Sequence, residues 1–332
     1  MDNSLDTIAW RERALQQQIL EWQKLILSES GSLAMHDSGK TSGEILHPLF
    51  IKLRSLYLDD LPLIKLRECS DILIHVEGKE IHGENPQLKT VNWLGKTVRT
   101  QFGRLAAAAL PGVDRKTVLA AREAQWEITG LVPGSIYMGF ALHRGSARPG
   151  FEEGDRELSD LIVNAAKSIS IVPQFITENG VDRELTEAIT DPALRDAAMM
   201  AAMQFAPTKK SAFDRVEIST PGQSKGILHH RERVTLRYAL LRPMMRKKQV
   251  GAFAGELNQV DLDSSRFELR NIAGVGRLRC VMDFTSAHAR RWLGHKVKVS
   301  GMYDTDSSGR PRLMRVSDIT VIEEQQDIQA LD

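Results

Sequence analysis

The chain has 332 residues, 42% of them hydrophobic and 26% charged, a balance that excludes a disordered protein and suits two or three packed domains. Its two cysteines, Cys69 and Cys280, exclude a disulfide framework and a four-thiolate zinc site, and they fit a reducing cytoplasm. The net charge of +1 hides an asymmetry: residues 207–332 hold 22 Lys and Arg against 15 Asp and Glu, while residues 1–206 hold 22 against 28. A basic half of this kind suits a polyanionic partner, or attraction between the two halves within or between subunits.

The opening residues lack a basic segment followed by an apolar one, and no apolar run approaches the roughly 20 residues of a membrane span. A cytoplasmic protein that does not engage a membrane is expected. Leu5, Ile8, Leu15, Ile19, Trp22 and Ile26 recur at helical spacing behind a cap at Asn3 or Ser4. They predict one amphipathic helix over about 3–28. Its stripe must bury on its own domain or on another subunit, so these six are candidate interface residues, and an oligomer or stable complex is expected. The polar stretch from Ser28 to Gly43 reads as a loop and the next segment, to Leu56, as a helix. Residues 72–76 and Ile81 flank Gly78-Lys79, a pattern that predicts a β-hairpin. Asn85-Pro86 caps a helix bearing Leu88, Val91, Trp93, Leu94, Val98, Phe102 and Leu105. Two strands are expected around Pro133-Gly134, between Trp126 and Leu142. Residues 1–150 thus read as an α+β domain.

Residues 151–245 read as a mostly helical middle region. One helix runs from Glu157 to Ile169 and another starts at Asp191-Pro192 with Leu194, Ala198, Met199 and Met203. The stretch from Phe213 to Ser219 alternates as a strand, and residues 227–245 fit helix and strand equally. The run from Arg242 to Lys248 reads as a basic linker.

Residues 249–324 follow the order strand, strand, strand, short helix, strand, strand. This order resembles an OB-fold barrel, although an SH3-like or other small five-stranded barrel gives nearly the same string. The resemblance covers less than a quarter of the chain and rests on element order. It implies ligand binding by the face of the second and third strands, the surface on which OB barrels take oligonucleotides and oligosaccharides. Strand alternation places Phe267, Leu269, Leu278, Cys280 and Met282 inside, with Asn271 following them, and Arg266, Glu268, Arg270, Arg277, Arg279 and Val281 outside. Arginine forks bind phosphate bidentately and stack on bases. Arg266, Arg270, Arg277, Arg279, Lys298, Tyr303, Arg310 and Arg312 are therefore the candidate nucleic-acid contacts, with Tyr303 the one plausible stacker. The expected core is Phe253, Leu257, Phe267, Leu269, Leu278, Cys280, Leu293, Val297, Val299 and Ile319, with Trp292 packing the capping helix. Residues 325–332 form a tail.

Other patterns lack the context their chemistry needs. Residues 34–41 match a relaxed phosphate loop, but a long helix precedes them where a buried strand should stand. Residues 304–309 start like a calcium loop whose twelfth position is Arg315 and not Glu, so a hairpin turn is expected. Arg290 and His295 have the spacing of some helical-domain ribonucleases, but across a helix end. His75, Glu77 and His82 have zinc-binding chemistry without a known register, and the adjacent His229 and His230 point apart. No catalytic set, metal or cofactor is expected. The reading is an α+β multi-domain chain: an N-terminal α+β domain, a helical middle and a C-terminal five-stranded OB-like β-barrel. Its expected function is that of a non-catalytic accessory protein binding nucleic acid through the barrel; the alternative is a scaffold whose barrel docks on a protein partner.

Overall fold

The computed structural model describes residues 5–28, 41–78, 81, 87–110, 115–132, 135–143, 153–221 and 225–322. The phosphate-loop-like segment 34–40, Asn85-Pro86, His82 and the tail 325–332 lie outside the described residues. The fold is mixed α+β, with helices and a sheet first, a helical middle and a closed five-stranded barrel last.

The first helix, α1 (Leu5–Leu27), packs against α2 (Ser42–Ser55) and the π-helical turn Leu56–Asp60 that joins α2 to α3 (Leu61–Glu68). Thr41 caps α2 in a reciprocal box with Glu44, which satisfies two backbone donors at the helix start. The shared core here is small: Ile8, Leu56 and Ile64, with Leu53 and Leu61 beside them. Of the predicted stripe, Ile8 and Ile19 are buried, Leu15 and Ile26 are half-buried, and Trp22 is exposed. Leu5 lies in the helix, but its side chain is outside the described residues.

The main sheet is antiparallel, in the order β2 (Trp126–Val132), β3 (Ile136–Leu142), β1 (Ile72–Glu77), β6 (Arg215–Ser219), β7 (Gly226–His229). The β2–β3 hairpin forms where Pro133-Gly134 predicted it. The hairpin expected at Gly78-Lys79 does not form. β1 is the central strand and spends its two edges on β3 and β6, with Ile74 opposite both Met138 and Ile218. A strand has two hydrogen-bonding edges, so no third ladder can join it.

One face of this sheet carries the core. Ile72, Ile74, Ile136, Met138, Phe140, Val216 and Ile218 meet α4 (Leu88–Ala109), α6 (Glu153–Ile171), α8 (Pro192–Phe205) and α9 (His230–Leu241). Between α6 and α8 lie a single 3-10 turn (Val172–Phe175), the short β4 (Ile176–Thr177) and β5 (Gly180–Val181), and α7 (Leu185–Ala188). α5 (Arg115–Arg122) packs on the end of α4. A division at residue 150 does not follow this core. The fourth and fifth strands come from beyond it, and Leu236 and Leu240 share a cluster with Ile72. The ambiguous stretch after Ile227 resolves as the end of β7 followed by α9.

The barrel comprises β8 (Gln249–Asp261), β9 (Arg266–Ile272), β10 (Gly276–Val281), α10 (Ser286–Trp292), β11 (Lys296–Thr305) and β12 (Pro311–Val321). It closes in the order β10-β12-β11-β8-β9, and β10 with β12 is its parallel pair. The architecture is OB-like. Leu257, Phe267, Leu269, Leu278, Cys280, Val297, Val299 and Met314 fill it, with Phe253 and Ile319 at its margin. Two expectations fail. Leu293 is about half exposed, and Trp292 is the buried residue of the capping helix, because Leu293 already leaves helical geometry ahead of Gly294 at φ +83. Asn271 adopts φ +55 and faces solvent, so Ile272 takes the interior place. A left-handed residue breaks the two-residue period, and Asn tolerates that conformation better than most.

Candidate nucleic-acid interface

The arginines of β9 and β10 face outward, as alternation requires, but the outside they face is the helical part of the same chain. Asp196 of α8 accepts from Arg266 Nε at 2.9 Å and Nη2 at 2.7 Å, and from Arg279 Nε at 2.6 Å. Arg266 also donates to Leu240 O at 2.9 Å. Burial alone would raise the Asp196 carboxyl, but the Arg266 and Arg279 guanidiniums outweigh it and bring the group down to about 2. Asp191 caps α8 with Oδ1, accepting from Ala193 N and Leu194 N at 2.8 Å, and holds Arg312 with Oδ2 at 2.8 Å. Arg312 also donates to Ala108 O.

A second lock lies behind the first. Arg195 of α8 and Asp304 of β11 meet at 3.0 Å, each about 1% exposed. Asp304 further accepts from the backbone N–H groups of Arg246 and Lys247, and Arg195 donates to Ile189 O and Met244 O. A buried ion pair offsets its desolvation only when its other hydrogen-bonding positions are filled, and here they are. The turn after Asp304 is the expected β-hairpin, closed by Asp306, which accepts from the backbone of Ser308 and Arg310.

Between these locks a cleft of about 80 Å³ stays open. Arg104 of α4, Arg122 of α5, and Arg266, Arg277, Arg279 and Arg312 of the barrel line it. Ala107, Ala108 and Ala193 leave it room. Four carboxylates serve these six guanidiniums among the described residues. Asp196 and Asp191 are accounted for above, Asp261 takes Arg104 at 3.2 Å, and Glu268 lies 3.9 Å from Arg277 and 2.7 Å from Arg270. Arg122 has a neutral acceptor, Gln259 Oε1 at 3.1 Å, and no carboxylate within 4 Å among the described residues. Burial pushes Arg122 below its ordinary value. Glu268 opposes that shift, while Arg270, Arg104 and Arg279 add to it. Arg277 is lowered in the same way, by burial first and by Arg270, Arg122 and Arg312.

The predicted contacts therefore separate. Arg266 and Arg312 are buried in ion pairs, and Arg270 is held by Glu268. Arg277 and Arg279 reach the cleft. Lys298 is exposed on β11 outside the cleft, opposite Thr320. Tyr303 packs edge-on against Phe253 with ring centres 5.1 Å apart, so it belongs to the barrel margin. Arg310 sits in the β11–β12 turn. Sequence reasoning missed Arg104, Arg122, Asp191 and Asp196. The available signal was Arg195-Asp196 inside a helix otherwise rich in Ala and Met, since adjacent charges there must be buried with partners.

His75 lies on the outer face of the main sheet, stacked on Tyr137 at 3.8 Å and bonded through Nε2 to Ser135 Oγ at 2.8 Å. Burial lowers it, against the pull of Glu217 and Glu77. His229 opens α9 and His230 bonds Pro207 O, so the adjacent pair does not converge. No helix among the described residues is long and apolar enough to cross a membrane. No family model, curated protein or solved structure matches the chain.

Proposed function

We propose that the chain is an accessory protein that binds nucleic acid at the arginine-lined cleft, where the barrel face meets α4, α5 and α8. One observation carries this reading: six guanidiniums share four carboxylates in a half-buried space, and Arg122 and Arg277 lack a carboxylate within hydrogen-bond range among the described residues. Partly desolvated cations without counter-charge are costly, and a phosphate oxygen relieves that cost with two charge-assisted hydrogen bonds per fork. The barrel arginines already paired to Asp191 and Asp196 act as walls that fix the donors in place.

The test is fluorescence anisotropy with short single- and double-stranded oligonucleotides across a salt series. Wild-type protein is expected to bind at low salt, with the logarithm of its affinity falling linearly with the logarithm of salt concentration. Arg122→Gln and Arg277→Gln each weaken binding by about tenfold or more and flatten that slope. Protein that shifts none of the oligonucleotides at low salt overturns the reading.

A second reading, assembly through α1 and α2, is favoured by Trp10, Leu20 and Leu27 on α1 and Phe50 and Ile51 on α2, all exposed. α1 carries three acidic and three basic residues, so two copies would not repel each other. That reading expects self-association in sedimentation and no oligonucleotide binding.

A further inference from the structure

We propose that the cleft is built for a phosphate end, the phosphomonoester of a nucleic-acid terminus or of a free nucleotide, and not for the phosphodiester backbone along a strand. The inference rests on the nucleic-acid reading above only for the source of that phosphate. Three features of the cleft carry it.

The first is the wall. The cleft of about 80 Å³ has room for several water molecules and so for a phosphoryl group, and its wall is mainly guanidiniums and small side chains. The aromatic in its wall, Phe267, is a buried member of the barrel core, so it offers no free ring face for a base. With no ring face on which to stack a base, recognition comes from the phosphate itself.

The second is charge. Glu268 also holds Arg270 at 2.7 Å, so seven arginines meet Asp191, Asp196, Asp261 and Glu268, an excess of three positive charges among the described residues. A phosphomonoester brings about −1.5 to −2 at neutral pH, which offsets at least half of that excess. A backbone phosphodiester brings one negative charge and offsets a third of it.

The third is the set of unspent donors. Arg122 offers its fork with one neutral acceptor engaged. Arg277 reaches Glu268 at 3.9 Å, outside hydrogen-bond range. Arg279 turns Nη2 to the Met200 sulfur at 3.0 Å, a weak acceptor that a phosphate oxygen would replace. Ser264 Oγ, in the same wall, is buried and has no hydrogen-bond partner among the described residues. A monoester presents three terminal oxygens for these donors. Arg266 and Arg312, locked by Asp196 and Asp191, keep the barrel wall rigid, so little ordering entropy is lost on binding.

The experiment uses the full chain and four probes at low salt: one oligonucleotide with a 5′-phosphate, the same strand with a 5′-hydroxyl, adenosine monophosphate and adenosine. Affinity is read by competition and by thermal shift. The phosphorylated strand is expected to bind at least about tenfold tighter than the hydroxyl strand, and adenosine monophosphate to compete where adenosine does not. Arg122→Gln is expected to erase that discrimination. Arg277→Gln is the second variant, and each variant's thermal unfolding shows whether it is folded.

Equal binding of the two strands, with loss in both variants, overturns the phosphate-end inference while leaving the nucleic-acid reading in place. Adenosine monophosphate binding as tightly as the phosphorylated strand supports the inference and removes the nucleic-acid reading, since the polymer then adds nothing. No response to any probe overturns both.

Discussion

Asp196 is the residue on which the barrel face turns. It is buried at 3% exposure and shared by two arginines from adjacent strands. Replacing it with Asn removes the charge and leaves both guanidiniums facing a neutral amide. Breaking a buried pair this way costs about 3–5 kcal/mol, and denaturant unfolding of Asp196→Asn measures it. The same group sets an acid limit. Its folded value of about 2 lies below the ordinary 3.8, so its contribution is fully present above about pH 4 and disappears as pH falls through about 2. Stability followed from pH 7 downward should lose this contribution between about pH 4 and pH 2, and Asp196→Asn should lack that part of the acid loss. The sequence shows why Arg266 points away from the barrel core, since Phe267 and Leu269 point in. It does not show what lies outside, because parity distinguishes two faces of a strand but not water from another part of the chain.

The elements were legible where a local rule decides them. The β2–β3 hairpin follows from its turn residues, α8 from Asp191-Pro192, and the barrel order from five strands interrupted by a helix. They were illegible where a distant partner decides them. The hairpin at Gly78-Lys79 looked complete, yet β1 found β6 more than 130 residues downstream. Within the barrel, glycines mark where strands press together. A Cβ on Gly255 of β8 would lie 2.7 Å from Arg270 O and 2.8 Å from Ile272 Cγ1, and neither backbone nor core side chain can easily yield. Gly255→Ala is therefore expected to lower stability by about 1–3 kcal/mol, as overpacking does. A midpoint unchanged in urea would show that β8 and β9 separate there at little cost.

For the whole molecule, the uneven charge of the sequence has an intramolecular reading. Acidic Asp191 and Asp196 come from the acidic first part of the chain, and Arg266, Arg279 and Arg312 from the basic last part. Attraction between the halves was one of two readings open to composition, and it accounts for three of the eight predicted contacts, Arg266, Arg279 and Arg312. It does not consume all the charge, which is why Arg122 and Arg277 stand out as the candidate site. The same arrangement bears on how the chain unfolds. The barrel has its own closed hydrogen-bond network and its own core, separate from the one between the main sheet and its helices. In an isolated fragment spanning 249–322, Arg266, Asp304 and Arg312 lose their partners but gain water, so none is left buried and unpaired. The fragment should therefore unfold cooperatively, at a lower temperature than the intact protein, because α8 no longer covers β9 and β10. Calorimetry of fragment and full chain measures both properties. A fragment without a cooperative transition would show that the barrel core depends on α8. A fragment as stable as the full chain would show that the ion pairs across the interface contribute nothing net.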